Sequence, residues 1–115
     1  MSVDWLSGNE FPLNYEANDI AIIRAVESYT MTGIERISAL IRAVRYIVGA
    51  GIPGDLVECG VWRGGSVMAM ALTLLQMQSQ ERALYLFDTF SGMTAPSEID
   101  IDYMGQPAET ILEDI

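Results

Sequence analysis

The stretch Leu56-Val57-Glu58-Cys59-Gly60-Val61-Trp62-Arg63-Gly64-Gly65-Ser66 constrains this chain most. It reads as a strand, a glycine-rich turn and the start of a helix. Gly51-Ile52-Pro53-Gly54 precedes it as a turn. Leu56 and Val57 form a short apolar run that suits a buried parallel strand. Gly60, Gly64 and Gly65 lack Cβ atoms, so a ligand can lie directly against the backbone. Ser66 is placed to cap the following helix, whose free N–H groups attract a carboxylate or phosphate. A turn of this kind sits at the carboxyl end of the first strand of a doubly wound sheet, where nucleotide-like ligands bind.

The glycine spacing narrows the ligand. A dinucleotide fingerprint is G-x-G-x-x-G, whereas this turn is G-x-x-x-G-G. The P-loop ending Gly-Lys-Ser/Thr is absent, because the chain contains no lysine. The strand ends in an acid, Glu58. Acid-x-Gly-x-x-x-Gly-Gly resembles the first motif of class I S-adenosylmethionine-dependent methyltransferases. As a bare pattern it also suits a plain strand–helix connector.

The sequence beyond the turn completes a βαβ unit. Ser66 to about Met77 predicts a helix that is apolar nearly all round and therefore buried. Gln78 to Glu81 is a polar loop. Ala83-Leu84-Tyr85-Leu86-Phe87 predicts a second buried strand, which ends in Asp88. An acid there can accept hydrogen bonds from both ribose hydroxyls of a nucleoside. The alternative is that Asp88 caps the turn Asp88-Thr89-Phe90-Ser91-Gly92.

Five segments then occur in one order: Tyr29-Thr30-Met31, Ala43-Val44-Arg45-Tyr46, Gly51 to Gly54, Val57 to Ser66, and Leu84 to Met93. Together they resemble the macrocin O-methyltransferase (TylF-type) family, from about Tyr29 to the end of the chain. The resemblance implies an α/β fold: a partial Rossmann-like, doubly wound sheet whose first βαβ unit is preceded by helices. It implies an S-adenosylmethionine-dependent O-methyltransferase acting on a hydroxyl of a small molecule, a sugar above all, in secondary-metabolite or glycan biosynthesis. The implied cofactor-binding residues are Thr30, Met31, Glu58, Gly60, Val61, Trp62, Gly64, Gly65, Ser66, Asp88 and Thr89. Gly60, Gly64 and Ser66 would hold the methionine end of the cofactor and Asp88 its ribose. Glu58 would order the cofactor amine or the turn.

The resemblance also implies a longer enzyme. Family catalytic residues, magnesium ligands and several strands lie beyond position 115, and this chain has no histidine. The chain is therefore expected to be an N-terminal portion or a truncated gene product. No metal site and no catalytic base are expected within it. Its adenine pocket should be incomplete, its cofactor binding weak or absent, and turnover by the chain alone absent. Two other readings stay open. One is part of a nucleotide-dependent oxidoreductase with an unusual glycine turn. The other is a non-catalytic interaction module.

Composition agrees with a single α/β unit. The chain has 115 residues, half of them hydrophobic, enough for a core and unlike a disordered segment. Six arginines against sixteen acids give a net charge of −10, which argues against a nucleic-acid partner. Arg24, Arg36, Arg42 and Arg45 fall on helices and read as a solvated face. The single cysteine, Cys59, excludes an internal disulfide, fits a reducing cytoplasm and reads as a small buried residue. The first ten residues carry acids and no basic leader region. The apolar run from Ser66 to Met77 is too short to span a bilayer.

Three regions follow: an arm over 1–17 with Trp5, Phe11 and Tyr15, helices plus the βαβ unit over 18–95, and an acidic lid-like tail over 96–115. The arm is expected to pack on a partner subunit or to cover the acceptor site. Asn18 to Ser28 predicts a helix with Asn18 as its cap. Ile34, Ile37, Leu40, Ile41, Val44 and Val48 form an amphipathic stripe that predicts a second helix, ended by Gly49 and Gly51. In the tail, Asp100 and Asp102 either share a cation or belong to a solvated acidic loop. An unpaired strand edge, with Met68, Met70, Leu72, Leu74, Leu75 and Met77 short of cover, predicts self-association or homo-oligomerisation.

Overall fold

The computed structural model describes residues 11–113. Trp5 and the rest of the first ten residues lie outside the described residues. The elements run α1 (Ala17–Val26), a 3₁₀ turn (Glu27–Tyr29), α2 (Ile34–Gly49), β1 (Leu56–Cys59), α3 (Gly65–Gln76), β2 (Leu84–Phe87) and α4 (Ala108–Glu113). β1 and β2 pair in parallel, with Leu56 opposite Leu84 and Cys59 opposite Phe87. A parallel pair needs a crossover, and α3 supplies it. No helix among the described residues is long and apolar enough to cross a membrane.

The α2 stripe behaves as its spacing dictates. Ile34, Ile37, Ile41 and Val44 are buried. Gly51 then ends the helix in a left-handed conformation at φ 66°. The α1 start differs from expectation. The helix begins at Ala17 behind Glu16, with no side-chain cap, so Asn18 lies within its first turn. Ile22, Ile23 and Val26 of α1 meet Ile34, Ile37 and Ile41 of α2 and Ala69 of α3. Phe11 and Tyr15 pack against this same cluster, so these two arm aromatics are seated on the chain's own helices.

A second cluster joins the helices to the sheet. Val44, Met70 and Leu74 are buried there, with Leu56 and Leu84 packed against them. Among the described residues only that face of the sheet is covered. On the other face Val57, Tyr85 and Phe87 are 57%, 50% and 59% exposed. The expectation of two buried strands is thus corrected: strand side chains alternate between faces, and helices cover one face alone. The same geometry corrects Cys59, which is exposed. Helix α3 is buried along one stripe, at Gly65, Ala69, Met70, Thr73 and Leu74, and not all round. Met68 and Leu72 pack against the first cluster, and Leu75 is 54% exposed. Open apolar surface lies on the far face of the sheet and in the segment after β2, where Phe90, Ile99, Tyr103 and Met104 are exposed, more than along α3.

Arg45 departs from the solvated-face reading. Its guanidinium pairs with Asp19, a carboxylate only 4% exposed, and lies 3.8 Å from Glu16. It also donates to the Gln76 side chain at 3.1 Å. One cation thereby ties α1, α2 and α3 together. Arg24 and Arg42 lie over the rings of Phe11 and Tyr15.

The amino ends of the strands are fastened separately. Arg82 donates to the carbonyls of Gly54 and Ile52, and Asp55 accepts the N–H of Ala83 at 2.9 Å.

Candidate functional site

The ladder between the strands ends where the Gly60 N–H meets the Phe87 carbonyl at 2.8 Å. Beyond that bond the two chains part. β1 enters the turn Gly60-Val61-Trp62-Arg63-Gly64, and β2 enters Asp88-Thr89-Phe90. Gly60 and Gly64 take φ values of 82° and 87°, conformations glycine adopts without steric cost. A Cβ built on either would meet nothing within 4 Å, so the turn opens onto free space. Trp62 also has positive φ, 46°, which is unusual for a bulky residue. Its ring carries the guanidinium of Arg63 at 4.7 Å.

Gly64, in the left-handed conformation, is the residue that caps α3. The helix starts at Gly65, so Ser66 is already inside its first turn and makes no capping bond. Gly65 serves a different purpose from Gly60 and Gly64. A Cβ there would lie 2.6 Å from both the Thr30 Cβ and the Tyr29 carbonyl oxygen. Its missing side chain admits the neighbouring connection and not a ligand. The same contact seats Thr30 against the start of α3. The Thr30 hydroxyl lies 2.8 Å from that of Thr32 and accepts the Thr32 N–H at 3.1 Å. Met31, next in the chain, is 55% exposed.

Asp88 faces the turn. One carboxylate oxygen accepts the Val61 N–H at 2.7 Å, and the other accepts the Phe90 N–H at 3.0 Å. These bonds, the Val61 one foremost, hold its carboxyl below the ordinary aspartate range. Asp88 thus does cap its own turn, as the alternative reading had it, and it also reaches across to β1. Thr89 completes the second turn by donating to the Gly92 carbonyl at 3.1 Å. Glu58, on the covered side of β1, is pushed up by burial.

Sequence reasoning brought Gly60, Val61, Trp62, Gly64, Asp88 and Thr89 to one end of the sheet, and the structure places them there. Thr30 joins them through Gly65. Arg82 and the Arg45–Asp19 pair were missed, because neither carries a local sequence signature.

In the tail the aspartates hold turns. Asp100 accepts the Ser97 N–H at 2.7 Å, and Asp102 accepts the Met104 and Gln106 N–H groups at 2.8 Å each. Among the described residues no group of three or more His, Cys, Asp or Glu side chains is placed to hold a metal ion.

A parallel strand pair, crossed through a glycine turn and a helix and closed by an acid at the second strand's end, defines an α/β protein built on a βαβ unit. The chain belongs to the macrocin-O-methyltransferase (TylF) family, whose model matches residues 13–113. It is 41% identical over 66 residues to 8-demethyl-8-(2,3-dimethoxy-alpha-L-rhamnosyl)-tetracenomycin-C 4'-O-methyltransferase of Streptomyces olivaceus, covering 57% of this chain and 25% of that one. Demethyldecarbamoylnovobiocin O-methyltransferase of Streptomyces niveus is 38% identical over 66 residues, with the same coverage. Mycinamicin III 3''-O-methyltransferase of Micromonospora griseorubida is 32% identical over 73 residues, covering 64% of this chain and 29% of that one. The match thus spans between a quarter and a third of these relatives' length.

Proposed function

We infer that this chain forms the cofactor-binding part of an S-adenosylmethionine-dependent O-methyltransferase whose acceptor is a hydroxyl on a sugar-bearing small molecule. The observation that carries this reading is the open glycine turn facing Asp88, in a chain of the TylF family. The relatives support the acceptor class, since each is an O-methyltransferase and the first carries a rhamnosyl group in its name. On this reading β1, α3 and β2 are the first unit of a doubly wound, Rossmann-like sheet.

The chain's residues would divide the task by chemistry. Gly60 and Gly64 let a ligand approach main-chain amides at the start of α3, where a carboxylate is favoured. The ionised, exposed Asp88 offers lone pairs to ribose hydroxyls beyond those its two backbone bonds use. Thr30 borders the start of α3 at Gly65, and Met31 follows it in the chain. When bound, S-adenosylmethionine supplies a methyl group on a sulfonium for in-line displacement by the acceptor oxygen.

The test is a comparison of two ligands on the ¹⁵N-labelled chain. Millimolar S-adenosylmethionine should move the amide signals of Gly60, Val61, Gly64, Asp88 and Thr89, and NADH should leave them in place. Movement by NADH alone would favour the oxidoreductase reading instead.

A further inference from the structure

We propose that Asp88 is a positioning residue, whose carboxylate clamps the Gly60–Gly64 turn to the Asp88–Gly92 turn and so sets the cofactor cradle before any ligand arrives. The clamp is independent of the ligand; its meaning for binding rests on the cofactor reading above.

After the bond from Gly60 to Phe87, no further rung holds the two strands together. Asp88 supplies the next link with its side chain, reaching the Val61 N–H across 27 positions of sequence. Its second oxygen holds the Phe90 N–H of its own turn. A single rigid carboxylate thus fixes both loops relative to each other.

Left-handed backbone falls at the same two places and at one other, Gln78 just after α3. Among the described residues, Trp62, Gln78 and Phe90 are the non-glycine residues with positive φ. Trp62 directly follows the amide that Asp88 holds in the first turn, and Phe90 is the residue it holds in the second. Left-handed conformations of bulky residues persist only where the surroundings over-determine them. Two charge-assisted bonds to backbone amides provide that determination. The depressed carboxyl of Asp88 is the matching electrostatic sign: both amides favour its ionised form.

Geometry makes the side chain hard to replace. Asparagine is isosteric but offers one acceptor oxygen where two are used. Glutamate keeps the charge but adds a methylene between backbone and carboxylate, which must push the two turns apart.

Backbone amide hydrogen exchange in the ligand-free chain tests the clamp. In Asp88→Asn, at least one of the Val61 and Phe90 amides should exchange about tenfold faster or more, the worth of a hydrogen bond to a charged acceptor. Exchange at Ile41 and Val26, in the helical core, should not change. Asp88→Glu should show the same local acceleration despite its retained charge. Unchanged protection of Val61 and Phe90 in both variants would overturn the proposal.

A ligand comparison separates positioning from direct contact. Adenosine carries the base and ribose without the amino-acid end, whereas S-adenosylhomocysteine also carries that end, which on this reading meets the turn. Asp88→Asn should weaken S-adenosylhomocysteine by a larger factor than adenosine. Equal weakening of both would assign Asp88 to ribose contact only and overturn the positioning role. If neither ligand binds the parent chain, the cofactor reading falls, while the exchange result still decides the clamp.

Discussion

The helical layer and the carboxyl ends of the strands are built on opposite terms. In the layer, Val26, Ile41 and Ala69 are fully buried, and the buried Asp19 carboxylate is met by Arg45. At the strand ends Trp62 and Phe90 are 39% and 71% exposed in left-handed backbone, beside glycines that face open space. The first region spends its residues on closure. The second leaves its glycines and the Asp88 carboxylate open, as the proposed ligand site requires and closure would forbid. Loops on a rigid scaffold are where binding residues concentrate. Here the scaffold is the α1–α3 layer, and Gly65 is the hinge point where the two regions touch.

Breaking the layer should have the largest effect. Arg45→Ala leaves Asp19 as a buried, unpaired charge and should cost about 2–4 kcal/mol, seen as a lowered midpoint in urea denaturation. Arg45 is itself one-quarter exposed, so water softens the loss below that of a fully buried pair. A midpoint unchanged from the parent would show that the three helices hold without their common ion pair.

The junction comes next. Gly65→Ala drives a Cβ into the Tyr29 backbone, which cannot rotate away, and should cost about 1–3 kcal/mol. It should also move the Thr30 and Thr32 amide signals, since their connection must retreat. Full stability with unmoved signals would remove the contact between the two regions.

At the open turn the order of effects should reverse. Gly60→Ala meets no atom within 4 Å and pays only for its φ of 82°, about 1 kcal/mol. Its added methyl nonetheless stands where the ligand is proposed to lie. Ligand-induced shifts at Gly64 and Thr89 should therefore vanish while the denaturation midpoint scarcely moves. Gly60→Ala and Gly65→Ala are the same substitution five positions apart, with opposite expected consequences.

The smallest effects are titrations. The Asp88 carboxyl is depressed in the folded chain, so its stabilisation is present above the unfolded aspartate value of about 3.9 and is lost as pH falls through the folded value. Glu58 is raised by burial, so its cost appears as pH climbs from the unfolded glutamate value, about 4.3, through the folded one. Carboxyl ¹³C titration should place Asp88 below and Glu58 above those references. The reverse order would contradict both local environments.

Much of this was legible in the sequence because its causes are local. The α2 stripe from Ile34 to Val48 needed only helical periodicity, and the helix ends one residue later. The strand Leu56–Cys59 and the left-handed glycines of its turn followed from an apolar run and a glycine pattern. What was not legible depends on which surfaces meet. Nothing in Val57, Cys59, Tyr85 or Phe87 states that helices would cover the opposite face. Gly65 looks like Gly64 in sequence, yet one neighbours Tyr29 and the other open space. Arg45 and Asp19 stand 26 positions apart, too far for any helical spacing rule to pair them. Ser66 misled for a smaller reason: a glycine in the left-handed conformation began the helix before the serine could cap it.

On the proposed reading, the open glycine turn and Asp88 together face the methyl-donor cofactor. Intermolecular nuclear Overhauser contacts between S-adenosylhomocysteine and the ¹⁵N-labelled chain test it most directly. The ligand's amino-acid end should contact the Gly60 and Gly64 amides, and its ribose protons should contact Asp88 and Thr89. Contacts confined to the groove lined by Tyr15, Ser38, Arg42 and Tyr46, with none at the turn, would contradict it.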